Sequence, residues 1–263
     1  MNTPLLSYAD LLFGFLLVLL NSALSFMLNV GVGRSLLVAA LRATAQLLLV
    51  GLILKFVFGS SSPWLVLAVI LVMTLLAAHE VRSRQKKRFT GVWGVGVGAA
   101  ATAVSMVLVL SYTVVLIVHS EPWWAPQLII PLVGIVLGSV MNGVGISLNV
   151  FNTGLERERN AIEAQLALGA DRRQALKFLQ RNALRSGLIP IVNQMSAAGV
   201  ITLPGMMTGQ ILAGMEPYEA AKYQILVLFL LAAAAGIGAL AATTLAVRRA
   251  TDDRDRLRLD RLS

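Results

Sequence analysis

Scattered through a chain that is 57% hydrophobic are a few polar side chains whose spacing gives them work to do. Arg42 and Gln46 stand four residues apart, on one face of the helix that would carry them. Asn142, Ser147, Asn149 and Asn152 crowd the end of another apolar run. An amide surrounded by lipid needs water or a partner, so Gln46, Asn142 and Asn149 either line a wet path or bond neighbouring helices. Thioether sulfur binds soft ions, which draws attention to Met206 and Met207, although flexible packing or gating is the commoner use of methionine. Glu216, beside Pro217, is placed to help release a cation. Other chemistry has no footing. With no cysteine there is no disulfide or thiolate site, and His79 and His119 lie far apart. No phosphate-binding Gly-x-x-x-x-Gly-Lys-Ser/Thr loop occurs, so no nucleotide cofactor is expected on this chain.

A second group of residues is built for contact with something soluble. Ile162 and Leu166 are one helical turn apart, Gly169 is a natural helix stop, and Asp171 with Gln174 forms a capping box for a following helix. Leu176, Leu179 and Ala183 line the apolar face of that helix. The product is a helical hairpin over 154–186 with its corner at Leu168-Gly169-Ala170. Glu163, Arg172, Arg173, Lys177 and Arg181 make it a charged knob.

The elements that must position these residues are membrane-spanning. A mean hydropathy of +0.78 with 13% charged residues exceeds what a soluble core needs. Apolar runs predict seven spans, at 8–30, 36–58, 63–80, 91–118, 127–150, 187–204 and 223–247. The first does not read as a cleaved signal peptide. The net charge of +9 is gathered in alternate loops, at Arg34 and Arg42, Arg82 to Arg88, Arg157 to Arg185, and Arg248 to Arg261. That pattern is membrane topology, not nucleic-acid binding, and it puts the N-terminus outside and the C-terminus in the cytoplasm. Trp123 and Trp124 read as interfacial anchors. Gly94 with Gly98, Gly134 with Gly138, and Gly205 with Gly209 have the spacing of close helix contacts. Pro190 should kink the sixth span, and Leu203-Pro204-Gly205 followed by Gly209 predicts a broken segment over 203–217 near the outer side.

The sequence Glu163-Ala164-Gln165 with Gly169 resembles the Glu-Ala-Ala...Gly loop by which ABC transporter membrane subunits dock on their ATPase, with Gln165 in place of the second alanine. Across its whole length the chain resembles the FetB-type permeases, ABC exporter membrane subunits associated with iron export, whose plant relatives act in aluminium tolerance and UDP-glucose transport. The marks are Arg42-x-x-x-Gln46-Leu47, Pro131 with Gly134 and Gly138, Leu168-Gly169-Ala170, the run from Leu203 to Gly209 reading LPGMMTG, and Lys222-Tyr223-Gln224-Ile225. Gly138-Ser139 stands where the family is expected to carry Gly-Asn, a difference that bears on selectivity if the position touches cargo.

The resemblance implies an all-α polytopic permease in the cell inner membrane, a single domain over 1–263. It would work as a homodimer, embedded in lipid, with two copies of a separate ATPase. Metal export is the implied activity, with a nucleotide sugar such as UDP-glucose as the alternative cargo. An ion-coupled secondary carrier is the rival class, although no carboxylate falls near the middle of a span. Glu163, Ala164, Leu168, Gly169, Ala170, Asp171 and Arg172 are expected to couple to the ATPase. Arg42, Gln46, Asn142, Asn149, Met206, Met207 and Glu216 are expected along the path, with Pro190, Pro204, Gly205 and Gly209 as hinges.

Overall fold

The apolar runs form helices throughout. The computed structural model describes residues 7–59, 62–116 and 124–263, and among these the only non-helical pairings are three isolated bridges. Trp123 and the neighbouring residues of its loop lie outside them. Among the described residues six helices are long and apolar enough to cross a membrane: α1 (Tyr8–Met27), α2 (Gly33–Phe58), α3 (Pro63–Ser83), α4 (Trp93–Leu116), α5 (Pro126–Arg157) and α9 (Pro217–Ala250). Between the last two come α6 (Arg159–Ala167), α7 (Arg172–Ala197) and α8 (Gly205–Leu212).

The expected span at 187–204 differs. It falls on the second half of α7, which ends at Ala197, and on the loop that follows. From Gly187 the helix runs on for about 16 Å, half the ~30 Å of a hydrocarbon core. Arg181 and Arg185 occupy the turns before it. In contrast, α5 and α9 exceed their expected spans, with 32 and 34 residues. At 1.5 Å per residue they are about 48 and 51 Å long, enough to project beyond a bilayer core.

The described chain divides into two compact units. The first holds α1 and α2, joined by a tight turn in which Asn29 and Gly31 take positive φ values of 52° and 79°. Buried serines fasten that turn: Ser22 Oγ donates to the Gly33 carbonyl at 2.9 Å, and Val32 N–H donates to Ser25 Oγ at 3.2 Å.

The second unit is organised on α5 and α9. Val133, Val136, Val140, Val144, Leu148, Phe151 and Leu155 recur every three or four residues and are at most 1% exposed, forming the buried stripe of α5. Opposite them α9 offers small residues, Ala234, Ala235, Ala239, Ala242 and Ala246. Bulky side chains meeting a flat alanine surface bring the two axes close. α4 and α7 flank this pair, α3 packs on α4 and α5, and α8 packs on α9. Close approaches occur at Gly98 against Val81, Gly143 against Ala235, and Gly238 against Val140 and Val144. Of the paired-glycine positions, Gly138, Gly205 and Gly209 have open space where a Cβ would be. Four-residue spacing identifies a small stripe but not the face that a neighbour meets.

At one end of this unit three basic segments come together. Lys87 pairs with Glu156 at 3.2 Å, and Arg172 lies 3.6 Å from Asp255. The segment 88–90 pairs with 261–263 through Thr90 N–H to Arg261 O at 2.8 Å and Ser263 N–H to Arg88 O at 2.9 Å. The α3–α4 loop, the hairpin and the tail thus share one end, as the alternation of charge requires.

Candidate functional site

The polar end of α5 is a single face. Asn142, Gly145, Asn149, Asn152 and Glu156 fall three or four residues apart, and the loop after α3 lies along them. Arg84 donates to Asn142 Oδ1 at 2.8 Å, and Lys86 N–H donates to Asn149 Oδ1 at 2.9 Å. Asn152, wholly buried, donates to Gln85 Oε1 at 3.2 Å and to the Lys87 carbonyl at 3.1 Å. All three asparagines bond to the segment that follows α3, and Asn142 also borders a cavity.

That cavity, about 220 Å³, lies where α5, α7 and α9 meet. Ser139, Asn142 and Gln194 give it polar edges, and Ile135, Pro190, Leu231 and Ala235 give it apolar ones. Pro190 lacks an N–H, so one carbonyl of the preceding turn of α7 is freed beside it. Ser139, which stands where asparagine was expected, donates to the Leu231 carbonyl at 3.2 Å. Just beyond, α5 and α7 cross almost backbone to backbone. A Cβ on Gly187 would lie 2.6 Å from the Gly143 carbonyl oxygen and closer still to Ser147 Oγ. Ser147 Oγ is buried there without a hydrogen-bond partner.

The hairpin folds as its caps dictate. Gly169 has φ +92°, Gly169 N–H donates to Leu166 O and Ala170 N–H to Gln165 O, both at 3.1 Å, which closes α6 in a Schellman turn. Ala164 O accepts from Leu168 N–H at 3.1 Å. Asp171 then caps α7, accepting from Gln174 N–H at 2.7 Å while Gln174 Oε1 accepts from Asp171 N–H at 3.3 Å. Glu163 is held by Arg159 at 2.9 Å, and Arg172 opens α7. Leu168 at the corner is 88% exposed. A large apolar side chain presented by a rigid, charged corner is an anchor suited to a pocket on a partner.

The break after α7 begins before Leu203. Ala198 caps the helix, Gly199 takes φ +82°, and Pro204 precedes α8, which starts at Gly205 and contains Met206, Met207 and Gly209. Met206 and Met207 are half-buried. Glu216 caps α9, its carboxylate accepting from Glu219 N–H at 3.0 Å. In the first unit Arg42 and Gln46 are exposed positions of α2.

The structure adds residues that sequence reasoning passed over. Arg84 had counted only as a topology charge, and Gln194 and Gly187 carried no mark. Gln224, within the Tyr-Gln-Ile run, is 6% exposed with its Oε1 unpartnered, and Gln210 Oε1 is likewise buried. Among the described residues no three His, Cys, Asp or Glu side chains converge as a metal site.

Compared with known proteins, residues 8–251 match the family described as Uncharacterised protein family (UPF0014). The chain belongs to the UPF0014 family. It is 36% identical over 246 residues to the UPF0014 membrane protein slr1647 of Synechocystis sp., covering 93% of each chain. It is 32% identical over 260 residues to the probable iron export permease protein FetB of Escherichia coli, covering 98% of this chain and 97% of that one. Protein ALUMINUM SENSITIVE 3 of Arabidopsis thaliana is 30% identical over 231 residues, 87% of this chain and 81% of the plant protein. No solved structure matches. With six crossing-length helices and relatives named as membrane proteins, this UPF0014 member is a multi-pass integral membrane protein, and the FetB-type kinship implied by LPGMMTG holds.

Proposed function

We propose that this chain is the membrane-spanning permease subunit of an ABC transporter that exports metal ions, iron among them, using ATP hydrolysed by a separate subunit. The observation that carries the reading is the end-to-end similarity to a protein named a probable iron export permease. Two permease chains and two ATPases, the latter holding ATP and Mg, would make the working assembly.

In this reading the corner from Glu163 to Arg172 is the docking element. Leu168 is its apolar anchor, and the doubly capped turn is stiff enough to transmit force. α7 runs without a break from the corner to Pro190, so motion of the ATPases would reach the cavity bordered by Asn142 and Gln194 along one rod. The loop at 198–204 and α8, with Pro204, Gly205 and Gly209, would flex beyond it. Asn142 and Asn149 of α5, Gln46 and Arg42 of α2, and Met206, Met207 and Glu216 remain assigned to the path.

The test is to co-purify the chain with its candidate ATPase, reconstitute both in vesicles, and measure ATP hydrolysis and transport with iron, other metal ions and UDP-glucose. Stimulation by iron supports the proposal, whereas stimulation only by UDP-glucose moves the cargo to a nucleotide sugar. Failure to associate with any ATPase, together with transport driven by an ion gradient, would overturn the assignment in favour of a secondary carrier.

A further inference from the structure

Between the start of α7 and the end of α9 lies a second cavity, about 550 Å³, which shares only Arg172 with the proposed docking corner. Arg172, Arg173 and Lys177 on α7 and Arg248 on α9 surround it, and Gln180 and Thr244 line its side, with Gln180 Nε2 donating to Thr244 Oγ1 at 3.3 Å. Arg173, Lys177 and Gln180 recur at helical spacing and therefore face the same way. Among the described residues Arg173, Lys177 and Arg248 form no ion pair, and Arg172 meets a carboxylate only at Asp255, 3.6 Å away. The nearby Asp171 is committed to its cap. Four cations thus converge with one carboxylate at their edge, an arrangement that repels itself until an anion enters.

The position of the cavity says which anion. α9 is free of charge from Gln224 to Val247, and Arg248 is the first cation after that run. Leu240, Thr244 and Arg248 follow one another at four-residue intervals and are all exposed, so one stripe of α9 passes from apolar to hydroxyl to guanidinium. That gradient is the one met on leaving the hydrocarbon of a bilayer for its headgroups. We propose that this cavity binds the phosphate headgroup of an anionic phospholipid, with the four cations on the phosphate oxygens and the acyl chains along the Leu240 side. A soluble phosphate shares the headgroup chemistry but gains nothing from the apolar stripe.

The experiment uses the full chain purified in a non-ionic detergent and follows its thermal unfolding midpoint without any ATPase present. Phosphatidylglycerol should raise the midpoint by about 4 °C and phosphatidylcholine should not. The triple variant R173Q/K177Q/R248Q should lose most of that shift, and K177Q alone, exposed and remote from the core, should lose part of it. R181Q/R185Q, which removes two charges from α7 outside the cavity, should retain the shift. An equal shift in the triple variant would overturn the site. Pyrophosphate acting as strongly as phosphatidylglycerol would reassign it to a soluble phosphate, and a shift with an acidic peptide but not with the lipid would reassign it to a protein partner.

Discussion

Two glycines on α7 and its corner matter for opposite reasons. Gly169 has open space where a side chain would be, but its φ of +92° is a region that L-residues avoid. Gly169→Ala should therefore cost about 1–2 kcal/mol of backbone strain, confined to the corner. Hydrogen exchange should quicken at Ala170 and the first turn of α7 while the global unfolding midpoint stays near wild type. Asp171→Ala, which removes a cap worth about 1 kcal/mol, should give the same local signature. Gly187 sits at an ordinary helical φ but has no room, because a methyl there would enter the Gly143 carbonyl. Gly187→Ala should force α5 and α7 apart at a cost of about 1–3 kcal/mol and lower the midpoint of the whole chain. If Gly187→Ala left the midpoint unchanged, the close crossing would not exist. Sequence alone exposed the first glycine and hid the second. A cap is written within four residues, whereas the partner of Gly187 lies more than forty positions away.

At the level of elements, the tail after α9 is the segment whose conformation the sequence announced least. Its alternation of Arg and Asp reads as a solvated basic stretch, yet it folds back so that 261–263 pairs with 88–90 and Arg261 donates to the Arg249 and Thr251 carbonyls at 3.0 and 3.1 Å. That pairing joins positions 175 apart, beyond the reach of any local pattern. Two carboxylates tie the fold-back to pH. Asp252 is held at a pKa of about 2, first by the backbone N–H of Arg256 and then by its side chain and the Arg254 N–H. Asp260 is held at about 2 chiefly by hydrogen bonding from Arg258. Both values lie below the usual 3.8, so the stabilisation is complete above about pH 4 and is lost as pH falls toward 2. Pepsin should accordingly begin to cut at Leu257 to Leu262 only within that window, and Asp252→Asn should open the tail to cleavage already at pH 4. Cleavage indifferent to both pH and the substitution would mean that these carboxylates do not hold the tail. The polar face of α5 was half legible in the same way. Its asparagines stood out as needing partners, but the loop that supplies them, 58 to 67 positions earlier, could not be read from them.

For the whole molecule, the hairpin corner and the tail lie at one end of the second unit, and the turn before α9 lies about 50 Å away along that helix. The natural chain has no cysteine, so single substitutions give clean reporters. Leu168→Cys and Asp253→Cys should react with an impermeant maleimide from the same face of a sealed vesicle, and Met215→Cys from the other. Labelling of Leu168→Cys and Met215→Cys from one face would break the proposed path of α9 across the bilayer. The apolar spans, their number to within one and the kinship were readable because composition and a short motif carry them. The end of α7 at Ala197, which leaves 187–197 too short to cross, was not, since hydropathy does not mark where a helix stops. The crossing of Gly187 on Gly143 also fixes a mechanical ratio. From that point to the corner, α7 extends for about 22 Å, and at the crossing itself Gly187 meets Gly143 and Ser147, so little side-chain relief interlocks there. The crossing can therefore serve as a fulcrum, at which a tilt of about 10° displaces the corner by roughly 4 Å. Because the cavity beside Pro190 adjoins the fulcrum, the same tilt moves its wall by much less, so a large stroke at the corner is geared down to a fine adjustment beside the cavity.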